Sequence, residues 1–74
     1  MEQFQFHGDF ITLGQFIKTQ NIVYSGGETK SFLMETTVLV NQERETRRGR
    51  KLHSGDTIAI AGIGNWQLTQ GTGL

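Results

Sequence analysis

Positively charged side chains are concentrated in one short part of this sequence. The chain carries seven Lys and Arg residues and seven Asp and Glu residues, so its formal net charge is zero. Five of the seven cations nevertheless lie within eight residues, namely Arg44, Arg47, Arg48, Arg50 and Lys51. Four of them are arginines, whose planar guanidinium groups match the geometry of phosphate oxygens and can stack on nucleobases. This residue choice favours a contact with a polyanion, and most simply with a nucleic acid.

The charge is also distributed unevenly along the chain. Residues 1–43 have a net charge of −3, and residues 44–74 have a net charge of +3. Such an asymmetry can indicate a polyanionic partner. A second interpretation stays open, because folding could bring the two parts together and pair the arginines with carboxylates such as Glu43 and Glu45.

A further candidate binding element is the sequence Ser25-Gly26-Gly27-Glu28. Ser followed three residues later by Glu is typical of a helix start, and two glycines let backbone amides approach an anion closely. Lys30 lies one turn further along the expected helix and could reinforce a bound phosphate there. The alternative is an ordinary helix cap without a ligand.

Composition argues against several other kinds of function. Cysteine is absent, which excludes disulfides and zinc–thiolate sites. His7 and His53 have no metal-ligand spacing, and no set of nucleophile, base and acid stands out, so we expect no metal, no cofactor and no catalysis. The apolar runs are too short to span a bilayer, and no basic start followed by an apolar segment marks a signal peptide. We therefore expect a cytoplasmic protein.

Helical patterns occur in the first half of the chain, after a short segment at residues 2–6 that alternates as a strand does. Thr12 and Gln15 have the spacing of a capping box, and an apolar stripe follows them. Ser25 and Glu28 repeat that spacing. Two helices are therefore predicted, from about Leu13 to Gln20 and from Gly26 or Gly27 to Glu35.

The rest of the chain is predicted to form short strands, at residues 37–40, 43–46, 57–61 and 65–68. Turns are expected at Asn41-Gln42 and at Ser54-Gly55-Asp56. Residues 69–74 are mostly polar and contain glycine, so we expect a frayed tail and a core at about residues 11–68. The order of elements predicts a single α+β domain over residues 1–74, with a helix-turn-helix-like pair packed on a small, mainly antiparallel sheet.

Four segments of the sequence resemble a known family. They are SGGETK at residues 25–30, VLVN at 38–41, ETRRGRKL at 45–52 and SGDTIAI at 54–60. In this order and spacing they are similar to the S-four domain, the RNA-binding fold named after the fourth protein of the small ribosomal subunit. The likeness is greatest to its stand-alone bacterial versions and runs from about Ile11 to Gly62. It implies a helix pair on a small sheet (the alpha-L RNA-binding motif) that presents a basic surface to structured RNA.

The resemblance also implies which residues face the RNA. Carried over by position, they are Ser25, Gly26, Gly27, Lys30, Arg44, Arg47, Arg48, Arg50 and Lys51, with Lys18 as a weaker candidate. The sequence departs from the family pattern at three loop positions. Gln42 stands where a glycine usually follows Asn41, so we expect a turn wider than two residues. Thr36 replaces a helix-ending glycine, and Ser54 replaces a frequent proline.

The charge pattern and the resemblance together imply a protein that binds structured RNA, with ribosomal RNA or a ribosome assembly intermediate as the expected target, and we expect it to be a monomer. Two alternatives remain. A DNA-binding helix-turn-helix would place its second helix in the major groove, but Lys30 stands there against Glu28 and Glu35. A protein–protein adaptor associated with ribosomes would need exposed aromatic anchors, whereas we expect Trp66 and Tyr24 to be core residues.

Overall fold

The chain folds into two helices and seven short strands within residues 1–71. The structure is a computed structural model that describes residues 1–71 of the chain. Its elements, in chain order, are β1 (Glu2–Phe6), β2 (Ile11–Thr12), α1 (Leu13–Thr19), α2 (Gly26–Glu35), β3 (Val38–Val40), β4 (Glu43–Arg44), β5 (Lys51–Leu52), β6 (Thr57–Ile60) and β7 (Gly64–Gln70). This arrangement confirms the predicted α+β class.

Both helices begin where the sequence predicts, directly after residues whose side chains cap the first turn. Thr12 Oγ1 accepts a hydrogen bond from the Gln15 N–H at 3.2 Å, and Gln15 Oε1 accepts one from the Thr12 N–H at 3.0 Å. Ser25 Oγ accepts from the Glu28 N–H at 3.2 Å and caps α2. α1 ends one residue before its predicted end, and Asn21 then adopts a left-handed conformation (φ 58°) that redirects the chain toward α2.

The main sheet has the strand order β1-β7-β6-β3-β4. Three of its pairings are antiparallel, whereas β1 runs parallel to β7 with Phe4 opposite Leu68. The sheet is therefore mixed and mainly antiparallel, as predicted. A separate two-stranded ribbon forms where β2 pairs antiparallel with β5, with Ile11 opposite Leu52. The sequence does not predict this ribbon, because each of its strands is only two residues long.

The core lies between the helices and the inner face of the main sheet. Phe16 is fully buried, and its ring contacts Phe4 and Trp66 edge-to-face at centroid distances of 5.1 and 5.3 Å. The other buried apolar residues are Phe6, Leu13, Ile17, Val23, Leu33, Val38, Val40, Leu52, Ile58, Ile60 and Leu68. Trp66 is thus a core residue, as expected. Tyr24 is 78 % exposed, so the expectation that it belongs to the core is wrong.

The β3–β4 hairpin is tighter than the sequence predicts. Only Asn41 and Gln42 separate the two strands, and both have positive φ angles, 52° and 72°. The expectation of a wider turn is therefore wrong. Asn41 stabilises the turn, because its Oδ1 accepts from the Thr57 N–H at 2.9 Å and its Nδ2 donates to Asp56 at 3.1 Å. Thr36 is extended, so α2 ends without needing a glycine.

β7 continues beyond its predicted end. The sequence predicts a frayed tail from Thr69, but Thr69 and Gln70 pair with Gln5 and Phe6 of β1. The tail prediction is wrong at these positions because it considers only local composition, whereas the pairing partner lies at the other end of the sequence. Residues 72–74 of the predicted tail lie outside the described residues.

Candidate nucleic-acid interface

The segment that follows β4 leaves the main sheet and crosses to the helices. β4 ends at Arg44, so the strand predicted at residues 43–46 is two residues too long. The Glu45 carboxylate accepts hydrogen bonds from the N–H groups of Thr46 and Arg47, both at 3.0 Å. Because these two N–H groups donate to the carboxylate, they are not available to pair with a neighbouring strand, and β4 does not continue. The chain then reaches β5, whose pairing with β2 holds it beside the start of α1.

Glu45 is a buried carboxylate that orients two of the predicted arginines. The residue is only 6 % exposed. Arg47 donates to both carboxylate oxygens, from Nε and Nη2 at 3.0 Å each, and Arg50 Nη1 donates at 2.9 Å. The hydrogen bonds from the Arg47 side chain lower the pKa of Glu45 from 4.5 to about 2, although burial acts in the opposite direction. The carboxylate in return raises the pKa of Arg47.

The basic segment keeps an excess of positive charge despite this ion pair. Within residues 1–71, Glu45 is the only carboxylate at ion-pair distance from a Lys or Arg side chain. The Arg47 side chain remains 73 % exposed while it is paired, and Arg44 is exposed on the edge strand β4. Internal pairing of the arginines with carboxylates therefore occurs in this part of the chain, but only through Glu45.

Arg48 joins the basic segment to the starts of both helices. Its carbonyl oxygen accepts from the Gly14 N–H at 2.8 Å, and its Nη1 donates to the Gly26 carbonyl oxygen at 3.1 Å. A Cβ on Gly14 would lie 3.2 Å from the Arg48 carbonyl oxygen, and a Cβ on Gly26 would lie 2.9 Å from Arg48 Nη1. Both glycines therefore permit a close approach of the arginine. Sequence reasoning missed Gly14, for which the only signal is a glycine in the first turn of a helix.

A groove of about 240 Å³ opens at this junction of the two helices with the basic segment. Its walls include Gln15, Lys18, Gly26, Thr29 and Arg48. Lys18, the weaker candidate, is thus brought beside Arg48, although the two are far apart in the sequence. We call this feature the Arg48 groove.

The start of α2 contributes backbone donors next to the Arg48 groove. Amides in the first turn of a helix have no acceptor within the helix. At Gly27 no other part of the described chain would lie within 4 Å of an added Cβ, so the backbone there is open. Ser25 Oγ already caps the helix, and Lys30 is exposed one turn after Gly26. The structure therefore brings these candidates to one end of α2.

Arg44 and Lys51 lie on strands outside the Arg48 groove. Arg44 pairs with Leu39 at the edge of the main sheet. Lys51 lies on β5, where its Nζ sits 4.8 Å from the centroid of the Phe10 ring. Both are exposed, and Arg44 shares the sheet face of Leu39, which is opposite the face of the buried Val38 and Val40.

The chemical groups on this surface are guanidinium, ammonium and amide donors, all of which bind anions without covalent chemistry. Among residues 1–71, no three His, Asp or Glu side chains are close enough together to hold a metal ion. In the same part of the chain, no helix has the length and apolar character needed to cross a membrane.

Comparisons with known proteins identify the family of the chain. The sequence model of the S4 domain matches residues 4–67. The chain is also 52 % identical over 60 residues to a Bacillus subtilis (strain 168) protein named probable ribosome maturation protein RlbA, across 81 % of this chain and 84 % of the relative. No solved structure matches. Since the domain match spans most of the chain, this protein belongs to the S4 domain family, the S-four fold that its sequence segments resemble.

Proposed function

We propose that this protein binds structured RNA through the Arg48 groove and the basic segment at residues 44–51. Membership of the S-four family supports an RNA-related role. The observation that carries the proposal is the position of Arg48, which is tethered to the starts of both helices and shares a groove with Lys18. Cations that are already held in place lose less conformational entropy when a ligand binds.

The proposed contacts divide into two groups. The side chains of Arg47, Arg48, Arg50 and Lys51 bind phosphates, with Lys18 beside Arg48 in the groove and Arg44 as a more distant contact. The amides of the Ser25-Gly26-Gly27 turn and the Lys30 ammonium group fix the register of the RNA. A-form RNA hides its base edges in a deep, narrow groove, so we expect recognition mainly by shape and by backbone contacts.

The electrostatic part of this binding has a measurable signature. If about four phosphates are neutralised, the logarithm of the binding constant should fall with the logarithm of salt concentration with a slope of roughly −3. Fluorescence anisotropy of a labelled hairpin RNA, titrated at several salt concentrations, measures this slope. A duplex DNA of equal length, added as competitor, tests the DNA-binding alternative, for which Lys30 between Glu28 and Glu35 offers little support.

The double variant Arg47→Ala with Arg48→Ala tests the proposed phosphate contacts. We expect it to bind the hairpin at least about tenfold more weakly and to reduce the salt slope by about two. Because Arg48 also contacts Gly26, thermal unfolding followed by circular dichroism must show that the variant folds.

A variant that removes charge without removing hydrogen bonds and a matched control complete the experiment. Lys18→Gln with Lys30→Gln removes two charges without removing a hydrogen bond found among the described residues, and it should also weaken binding. Gln3→Ala with Gln67→Ala changes paired positions on the sheet face away from the helices and should bind like the wild type. Wild-type affinity in the Arg47→Ala with Arg48→Ala variant would contradict the proposal.

We further propose that the RNA is ribosomal RNA or a ribosome assembly intermediate, which would place the protein in the cytoplasm. The name of the Bacillus subtilis relative, a probable ribosome maturation protein, supports this choice. We expect the protein to bind as a monomer and to sediment with ribosomal particles at low salt, but not after nuclease treatment. Association that survives nuclease and high salt would favour the adaptor alternative instead.

A further inference from the structure

The ribbon formed by β2 and β5 presents an aromatic and basic face. In the antiparallel register Ile11 lies opposite Leu52 and Thr12 lies opposite Lys51. Leu52 is buried, so the adjacent residue Lys51 points the other way, toward solvent. Phe10, which precedes the ribbon, lies on this outer side together with Lys51. Diagonal neighbours of this kind are within reach of long side chains, and the Lys51 ammonium group does lie over the Phe10 ring.

Phe10 is not used by the core. The residue is 41 % exposed, whereas Phe6 and Phe16 are at most 4 % exposed. Its ring centroid is 6.5 Å from that of His53, at an angle of 52°, so two rings and an ammonium group meet at one surface position. An aromatic ring in this setting can accept another flat ring on its exposed surface.

Phe10 also lines a second groove, of about 560 Å³, whose walls include Phe4, His7, Gln15 and Lys18. Gln15 and Lys18 line the Arg48 groove as well, so the two grooves meet along α1. A polyanion bound in the Arg48 groove would therefore pass directly toward the Phe10 ring.

We propose that Phe10 stacks on an unpaired nucleobase, so that the protein selects an RNA helix interrupted by an unpaired nucleotide. The inference rests on the RNA-binding function proposed above and names the feature of the RNA that this surface recognises. Bases inside an A-form helix are stacked and hidden, and only a bulged or looped base can reach an aromatic side chain. The phosphates on either side of that base would lie near Lys51 and Lys18.

The surroundings of Phe10 favour a nucleobase over an apolar protein segment as its partner. The Lys51 ammonium group lies over one face of the ring, and Lys18 lines the same groove, so an apolar anchor would be disfavoured beside two ammonium groups. Base stacking on an exposed ring together with nearby cations is a common arrangement for unpaired nucleotides.

The test compares three hairpin RNAs that differ at one position: fully paired, carrying one bulged adenosine, or carrying an abasic site at the bulge. We expect wild type to bind the bulged adenosine hairpin most tightly. Phe10→Ala should weaken binding to that RNA by about fivefold or more and should leave the other two nearly unchanged. Phe10→Tyr, which keeps the ring, should retain the preference. Ile63→Ala, which truncates an exposed apolar residue near Gly64, is the matched control.

The three RNAs also separate the possible failures. Equal wild-type affinity for the adenosine and abasic bulges would overturn the stacking proposal while leaving RNA binding intact. If Phe10→Ala lost affinity equally for all three RNAs, the stacking proposal would also be overturned, because the loss would then be assigned to a displaced Lys51. If the wild type binds none of the hairpins, or if Arg47→Ala with Arg48→Ala binds them normally, the proposed function itself fails.

Discussion

The Glu45 carboxylate holds the side chains of Arg47 and Arg50 by three hydrogen bonds of 2.9–3.0 Å. It offsets one positive charge, but it also fixes the direction of two guanidinium groups that would otherwise rotate freely. Ordering them in the free protein reduces the entropy that binding would have to remove. A carboxylate within a cationic surface can therefore weaken anion binding through its charge and strengthen it by ordering the neighbouring guanidinium groups.

The Glu45 ion pair predicts a loss of stability in acid. The pKa of about 2 in the folded protein lies below the ordinary value of 4.5, so folding favours the charged carboxylate. This stabilisation is fully present above about pH 5 and is lost as the pH falls toward 2. We expect it to amount to about 1–2 kcal/mol, less than the full shift implies, because Arg47 is largely exposed and screened. Urea unfolding at a series of pH values measures it.

Two variants isolate this contribution. Glu45→Gln should be less stable than wild type at pH 7 and should show a flatter dependence of unfolding free energy between pH 5 and pH 2. Glu43→Gln is the matched control, since no Lys or Arg side chain in residues 1–71 lies at ion-pair distance from it. An acid dependence in Glu45→Gln as steep as that of wild type would be inconsistent with this role.

Two of the glycines in the first turns of the helices, Gly14 and Gly27, should respond oppositely to alanine. Alanine favours a helix by about 1 kcal/mol over glycine. At Gly27 an added Cβ meets open space, so Gly27→Ala should raise the free energy of unfolding by about 0.5–1 kcal/mol. At Gly14 it would press on the Arg48 carbonyl oxygen at 3.2 Å, so Gly14→Ala should lower stability by about 1 kcal/mol. Thermal melts of both variants will show whether the close contact at Gly14 costs more stability than the higher helix propensity of alanine provides.

At the scale of elements, the helices were predictable because their signals are local. The capping pair Thr12 and Gln15 and the cap Ser25 lie within a few residues of the amides that they satisfy, and the structure contains these bonds. The ribbon that carries Phe10 was not predictable, since two-residue strands have no periodicity of their own. Its position follows from the burial of Leu52, which depends on the completed core.

The β3–β4 hairpin offers a test of backbone strain. A two-residue loop with positive φ at both positions favours glycine at the second, where this chain has Gln42. Gln42→Gly should therefore stabilise the protein by about 0.5–1 kcal/mol in chemical unfolding. Asn41→Gly is the informative comparison, because it relaxes φ but removes the hydrogen bonds to Thr57 and Asp56, and it should destabilise. Destabilisation by both variants would show that Gln42 has a role beyond the turn.

For the whole molecule, the sequence was informative about composition and order but not about long-range pairing. The basic segment and the order of elements could be predicted from the sequence and from the family resemblance. The parallel pairing of β1 with β7 could not, because nothing in residues 2–6 specifies which strand lies beside them. The burial of Glu45 was equally hidden, since it requires the chain to turn out of the sheet after Arg44.

Truncation measures the contribution of this long-range pairing. A chain that ends at Leu68 lacks Thr69 and Gln70, which pair with Gln5 and Phe6. We expect it to be less stable by about 1–2 kcal/mol, because two residue pairs at the edge of the sheet and their hydrogen bonds are lost. A chain that ends at Gly71 keeps every contact described above and is the control. Equal unfolding midpoints for the two chains would show that the end of β7 does not contribute to the stability of the fold.

The side-by-side arrangement of β1 and β7 also bears on when the protein can fold during its own synthesis. Residues 2–6 are translated before the other elements described here, and their partner strand β7 is translated after them. A nascent chain would therefore display its arginines before the sheet that supports them is complete, and pairing between such distant segments is slow. If the proposed function is right, only copies whose translation has passed β7 would offer the finished binding surface, so unfinished chains would compete poorly for the RNA.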